Sequence, residues 1–528
     1  MASRRDELNA YTFARKRMVG AFLQPGGGGN DEDAPRPIRA VLPSFVVGAV
    51  IVAGFGMWGV LKPAAPPNWD NGKSIIQGKS STTRYVILPD SKTGQPTLHQ
   101  VLNMSSARLV LSEGATVQSV ADDVLDKYPR RGATIGIPYA PDKLPQADDA
   151  GAAKVWSVCD KMGKDNLQST VSQSVFIAAG ADVKTLASPD RKLDDGKSLF
   201  VQEPPHGSKD GSMFLIDRQG VKHAVGRLDT SDDDRKALQR ALFGADAKPQ
   251  QVTAEWLATL GNGEPVVFPR VDSVKTSGTT ADSQVELSNK ALRKVGRVVK
   301  FQEVYYAVGA QQLYKITPFQ ADLMRLDPKN QGAYGSETPS INEITASDIQ
   351  KFEKRVSTQL IDEAKDLPQQ TSPAVNLSGD KAGRTVVCST FEGFDNGQLK
   401  RSVWAGSAYP AEVTAGSVSA HVTPGHGLLY RAVDGDMTNA DGQAGSGSDF
   451  LITDAGLRYS LPANDDGANG ATPAPQQNGQ GGGDTKNAAQ ARLGFKNVNP
   501  PVVPAAWSKL VPAGPVLNTN TALQAQNA

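Results

Sequence analysis

From Ala40 to Leu61 the chain reads AVLPSFVVGAVIVAGFGMWGVL, twenty-two residues with no charge. As a helix rising about 1.5 Å per residue this run reaches about 33 Å, enough to cross the hydrocarbon layer of a bilayer. Arg4, Arg5, Arg15, Lys16, Arg17, Arg36 and Arg39 precede it, and only Lys62 follows it before Lys73. That asymmetry predicts a single-pass protein of the cell (inner) membrane, its N-terminus cytoplasmic and residues 62–528 extracytoplasmic. Pro43 falls in the first turn, where its missing N–H costs little. A cleaved secretion signal would have an apolar core of about 7–15 residues and a small-x-small site. Here the run is longer, the segment before it is long, and Ala64-Ala65 stands between prolines, so an uncleaved anchor is expected. With no ionisable residue inside it, the span offers no ion or substrate path of its own; it is a tether or one helix of a larger assembly.

The net charge of +1 and the 6% aromatic content leave no basic stripe interleaved with aromatics, which argues against nucleic acid as a partner. Only two cysteines occur, Cys159 and Cys388, both outside under this topology. In an oxidising compartment two cysteines most simply make one disulfide; the alternative is two unpaired buried thiols. No His lies at ligand spacing near either, so a metal pair is not indicated.

Before the span, Leu8, Tyr11, Arg15, Met18 and Phe22 recur at three- and four-residue steps, with Asp6 and Glu7 in the first turn of the helix this predicts. Pro25 and Gly26 to Gly29 end it on a leash. It reads either as a docking helix for a cytoplasmic or membrane partner or as a basic amphipathic helix lying on lipid.

Beyond the span a pattern repeats. MFLIDRQGVKHAV (Met213 to Val225) aligns with DFLITDAGLRYSL (Asp449 to Leu461), each an apolar strand, a Gly turn and a second strand. Both are followed by a Trp on a short amphipathic helix, in VTAEWLATLGNGEPVV and in PAAWSKLVPAGPVL. RYVILPDSKTGQPTLHQVL (Arg84 to Leu102) and VYYAVGAQQLYKI (Val304 to Ile316) are weaker copies. The expected fold class is therefore α+β: one N-terminal transmembrane helix, then four small β-hairpin/helix repeats around a central β-rich domain. The boundaries read as a cytoplasmic helix and linker over 1–39, the span 40–61, a linker 62–83, repeat one 84–149 and the first central part 150–206. Repeat two follows over 207–270, a linker 271–297, repeat three 298–375, the second central part 376–446 and repeat four 447–528. The Gly-, Asn- and Gln-rich stretch 462–492 reads as a disordered insertion within the last. The strands around Cys159 (KVWSVCD, SVFIAAG) and Cys388 (RTVVCSTFE, HGLLYRAV) are the hub candidates.

Catalytic signatures are missing from the sequence. Gly-Lys-Ser occurs at Gly72, Gly78 and Gly196, but a phosphate loop needs Gly five residues earlier, where Pro67, Lys73 and Arg191 stand. His421 and His426 are five apart in a Pro-Gly turn, unlike a zinc-protease pair. His99 and His223 occupy the second strand of their hairpins, where Tyr314 and Tyr459 occur in the other two, which indicates packing. There is no Gly-x-Ser-x-Gly elbow, and the acidic runs Asp194-Asp195 and Asp232 to Asp234 sit in polar loops. No catalytic, cofactor-binding or metal-binding residue is therefore assigned, and no cofactor is expected.

RDELNAYTFARKRMVGAFL before the span, LHQVLNMSSARLVL, IGIPYAPDKLP, WSVCD, VVCSTFE, PGHGLLYRAV, FLITDAGLRYSL and LVPAGPVL together resemble, in order and over nearly the whole chain, the EccB family of type VII (ESX) secretion systems. The resemblance implies a structural subunit of the inner-membrane secretion channel, assembled with an EccC-type FtsK/SpoIIIE ATPase, EccD and EccE, and an outer domain that associates with copies of itself. Some members of the family carry an ATPase name, so the alternative function is an extracytoplasmic ATPase with a non-Walker nucleotide site.

Overall fold

The computed structural model describes residues 3–23, 38–61 and 65–526, apart from 91, 164–170, 187, 189–191, 195, 206, 208–209, 272–280, 353–355, 358–366, 378–382, 414–419, 435–446 and 463–487. The Pro-Gly leash after Leu23 and residues 463–487 of the 462–492 insertion fall outside these residues, while the end of that segment contains the short helix Ala488–Gln490 with Ala489 and Gln490 buried. The chain divides into two compact units, one of Met1–Asn71, Ile76–Thr82 and Val117–Pro129, the other of Gly72–Ile75, Thr83–Thr116 and Arg130–Ala528.

The first unit carries two long helices, Arg4–Leu23 and Ile38–Leu61. Ile38–Leu61 contains the whole apolar run, with Pro43 in its early turns. Among the described residues no helix is both long and apolar enough to cross a membrane; the side chains of Ala40, Leu42, Gly56 and residues 58–61 lie outside that set.

At the centre of the second unit is a five-stranded sheet whose order is Gln398–Gly406, Val386–Asp395, Val155–Met162, Val171–Ala178 and Ala420–Val422. The first four strands are antiparallel neighbours and the last runs parallel to Val171–Ala178. Val155–Met162 is buried along nearly its whole length, as a strand in the middle of a covered sheet must be.

Around it one topology recurs. Leu199–Gln202, Met213–Ile216 and Val221–Ala224 form an antiparallel meander. The helix Asp232–Phe243 follows; Gln250–Gln251 then pairs parallel to the first strand, the helix Ala254–Ala258 crosses, and Gly261–Asn262 pairs parallel to the third. The same order holds for Val298–Phe301, Val304–Val308 and Leu313–Ile316, with Asn342–Glu343 and Val356–Ser357 as parallel flanks. It holds again for Leu428–Val433, Ser448–Ile452 and Arg458–Leu461, flanked by Val502–Pro504 and by a parallel bridge from Arg458 to Ala513. The hairpin Arg84–Pro89 with Pro96–Val101 has the corresponding parallel bridge from Leu98 to Arg131. Gly220 and Gly456, aligned in the sequence, both adopt positive φ, 74° and 73°, which their tight turns require.

Two placements differ from the sequence expectation. Leu199–Gln202 and Leu428–Val433 were expected in the central parts 150–206 and 376–446, yet both pair with a hairpin instead. A hairpin of four- and five-residue strands is marginal alone, and the third strand is what completes its sheet.

Local signals set the helices. Ser231 caps Asp232–Phe243 from its side chain and three acids fill the first turn. Thr317 and Gln320 form a capping box with Pro318 opening the helix Pro318–Leu326. Cores then decide which sheet meets which. Trp156, Val158, Phe391 and Val403 of the central sheet share one cluster with Trp256 and Trp507 of the second and fourth meander units. Leu109 and Ile137 share another with Leu429, Tyr459 and Phe495. The sheet built on Val298–Ile316 keeps two clusters of its own.

Candidate functional site

Cys159 and Cys388 face each other across adjacent antiparallel strands and are bonded, so no free cysteine remains. The unpaired-thiol alternative is overturned. The bond joins strands 229 residues apart in sequence, and the second and third meander units lie between them in the chain.

Two tryptophans from short helices enter the hub and share one core with Trp156 and Phe391. Trp256 is fully buried and donates from Nε1 to the Val158 carbonyl at 3.1 Å. Its helix is capped by Thr253, whose N–H and hydroxyl donate to Asp160 Oδ2 at 2.7 and 2.8 Å. Gln173 Nε2 donates to Asp160 Oδ1 at 3.1 Å and to the Thr253 hydroxyl at 2.6 Å. Burial pushes the Asp160 carboxyl up to about 6, against the opposing pull of these donors. Trp507 packs 6.0 Å from Phe391, and the next residue, Ser508, bonds Tyr430 Oη at 2.8 Å. A third clamp centres on Asp149, which takes Lys154 Nζ at 2.7 Å, a His426 ring nitrogen at 2.7 Å and the Gly427 N–H at 2.9 Å. Burial raises this carboxyl, but Lys154, His426 and Gly427 hold it below its ordinary value. His426 thus ties the Ala147–Gly151 helix to the turn before Leu428, and His421 lies in the strand Ala420–Val422, opposite Phe176.

The other histidines pack as the hairpin alignment suggested. His99 bonds the Ala133 carbonyl and His223 the Glu264 carbonyl, each at 2.9 Å. A Cβ on Gly132 would strike His99, one on Gly263 would strike His223, and one on Gly514 would strike Tyr459. Each glycine is therefore a seat for the ring beside it. Tyr314 belongs to the remaining hairpin, on the strand Leu313–Ile316.

The Gly-Lys-Ser copies are engaged by protein groups. After Gly78, the Ser80 N–H at 2.7 Å, the Ser81 N–H and the Ser81 hydroxyl all donate to Asp122, whose carboxyl is lowered by those bonds. The donors that a phosphate loop would aim at a ligand here hold a carboxylate. The Gly196 N–H and Lys197 Nζ both meet Asp194, at 3.0 and 2.8 Å, and the Ser198 hydroxyl donates to the Ser372 carbonyl. After Gly72, Ser74 is buried. Among the described residues no group of three or more His, Cys, Asp or Glu side chains could hold a metal ion.

The N-terminal helix presents a different surface. Leu8, Tyr11, Met18 and Phe22 are 67, 71, 72 and 90% exposed, and Arg15 is exposed with them. At about 100° per residue the five fall within an arc of about 80°. Sequence reasoning found this stripe and the cysteine pair. It missed Asp160, although the residue follows Cys159 directly and its partner Thr253 precedes the Trp helix in VTAEW.

The sequence profile described as "Type VII secretion system ESX-1, transport TM domain B" matches residues 1–528. The chain is 26% identical over 509 residues to the protein named ESX-3 secretion system ATPase EccB3 of Mycobacterium tuberculosis, covering 93% of this chain and 84% of that one. It is 24% identical over 476 residues to ESX-1 secretion system ATPase EccB1 of Mycolicibacterium smegmatis, covering 88% and 87%. Its fold is similar to a chain of an intact ESX-5 inner membrane complex, with a TM-score of 0.58 and 19% identity over 100% of this chain and 96% of that one. It is likewise similar to the EccB3 dimer from the ESX-3 core complex, with a TM-score of 0.56 and 22% identity over 86% and 100%. With the profile matched from the first residue to the last, the chain belongs to the EccB family of type VII secretion systems.

Proposed function

We propose that this chain is a structural subunit of a type VII secretion inner-membrane complex, supporting protein export as a scaffold. The observation that carries the reading is the helix Ile38–Leu61. Phe45, Val50, Val52 and Phe55 are each at least 65% exposed on it, so the helix needs lipid or partner helices as its surroundings. In this reading it crosses the membrane once, with the N-terminus in the cytoplasm, as the distribution of basic residues favours. The stripe of Leu8, Tyr11, Arg15, Met18 and Phe22 docks on the membrane partners, an EccC-type ATPase with EccD and EccE. The outer region is four copies of one meander module, each held to a stapled hub or to a neighbouring module, and pairs with outer regions of other copies. The two curated relatives bear an ATPase name, but the Gly-Lys-Ser donors here are spent on carboxylates and carbonyls, so the energy source is assigned to the EccC-type partner.

Native gels and mass spectrometry of gently solubilised membranes, pulling on a C-terminal tag, test this. Recovery of a large assembly with an FtsK-type ATPase, lost when residues 1–24 are deleted, is the expected result. A chain recovered alone, turning over ATP, would overturn it.

A further inference from the structure

We infer that the unit carrying the apolar helix also touches the membrane through an aromatic pair, Trp69 with Tyr128, seated in the lipid headgroup layer on the outer side; this rests on the single-span reading above. The two rings meet edge to face, with centroids 5.7 Å apart and planes at 70°. Both residues are half-buried, so part of each remains open to its surroundings. Eight residues carry the chain from Leu61 to Trp69, a reach of at most about 28 Å, and Pro63, Pro66 and Pro67 stiffen it. The chain then turns at once. Asn68 sits at φ 56° and the Asn71 N–H bonds its carbonyl at 3.3 Å, which fixes Trp69 in a tight turn. Rings with an apolar body and a polar N–H or O–H are the side chains that favour the water–lipid boundary.

Charge plays a minor part. Exposed Lys79 and Lys127 are matched in the same unit by exposed Asp70, Asp123 and Asp126. The contact is therefore an aromatic one, expected to be the same on neutral and anionic bilayers.

The molecule supplies its own controls. Of its six tryptophans, Trp156, Trp256, Trp404 and Trp507 are at most 1% exposed and shielded from lipid. Only Trp58, within the apolar run, and Trp69 remain to respond. The full chain is reconstituted into phosphatidylcholine vesicles, with and without anionic lipid, whose acyl chains are brominated either close to the headgroup or near the bilayer centre, and tryptophan fluorescence is read. The Trp58→Phe variant should still be quenched by the shallow bromines in both lipid mixtures, and the Trp58→Phe/Trp69→Phe double variant should not. Quenching of Trp58 in the Trp69→Phe variant, with none in Trp58→Phe, would overturn the headgroup contact alone. No quenching of Trp58 would overturn the span itself. Quenching of Trp69 only on anionic vesicles would overturn the aromatic basis of the contact.

Discussion

Replacing Cys159 and Cys388 together by alanine should loosen the central sheet while leaving the meander unit around Val298–Ile316 as protected as before. The bond closes a loop of 229 residues, for which the chain-entropy relation gives about 5.5 kcal/mol of stabilisation at 25 °C. That is a ceiling. If the second and third modules, residues 199–262 and 298–357, stay folded when the hub opens, the flexible part of the loop shrinks to about 105 residues and the same relation gives about 4.8 kcal/mol. Both figures are comparable to the whole stability of many domains, so the hub strands should exchange amide hydrogens far faster in the variant. The third module's own cores contain no residue of the central sheet; it meets the second module through Phe319 and Leu323, a contact the disulfide does not hold, so its hairpin should keep its protection. Hydrogen exchange followed by mass spectrometry on the full chain in detergent reads both regions at once. The expected pattern is lost protection over Val155–Met162 and Val386–Asp395 and none over Val304–Ile316. Equal loss in both, or no loss at the hub, would refute the view that the disulfide stabilises a hub distinct from the modules it encloses.

Asp160 predicts a pH dependence. Its carboxyl lies at about 6 in the fold against an ordinary 3.8, so holding it ionised costs stability above pH 6. That cost is relieved as pH falls toward 3.8, by about 3 kcal/mol in full and about 1 kcal/mol by pH 5. Thermal melts of the native chain should therefore gain on those of Asp160→Asn between pH 7 and 5, and parallel curves would contradict the assignment. Trp507→Ala should cost about 3–5 kcal/mol, the usual range for emptying a buried indole site, and denaturant melts of the hub would show it; a loss under 1 kcal/mol would mean that the fourth module does not depend on this anchor. Gly263→Ala should destabilise the second module by about 1–3 kcal/mol through overpacking against His223, and His223→Ala in the same chain should recover part of the loss. A catalytic histidine would give no such rescue.

The modules were legible at their hairpins and obscure at their edges. Met213–Val225 and Asp449–Leu461 carry strong apolar alternation about a Gly turn, a signal that survives in any context because the turn needs positive φ and the strands need one buried face. The flanking strands are two or three residues long, Gln250–Gln251, Gly261–Asn262 and Asn342–Glu343 among them, and have no periodicity to read. Leu199–Gln202 and Leu428–Val433 are readable as strands, but their partners are not. A continuous apolar strand fits a hub as well as a module, and only the pairing decides.

The candidate site shows the same limit from the side of chemistry. Two cysteines and a helical stripe announce themselves by residue type and spacing, and both are where the sequence put them. Asp160, Thr253 and Gln173 do not, because a buried carboxylate looks in sequence like the solvated ones at Asp194 or Asp232, and only a fold can bring a cap residue 93 positions away onto it. The Gly-Lys-Ser copies are the converse case: residue type suggested a ligand, and neighbours decided otherwise. Asp122, 42 residues after Ser80, occupies the donors that a phosphate would need. In this chain Asp160 and Asp149 are turned inward to hold one element on another, while the Gly-Lys-Ser donors at Ser80 and Gly196 close contacts at the surface. Among the described residues most of the exposed large apolar side chains lie on the two N-terminal helices, the rest being scattered singly, as at Tyr139 and Leu228.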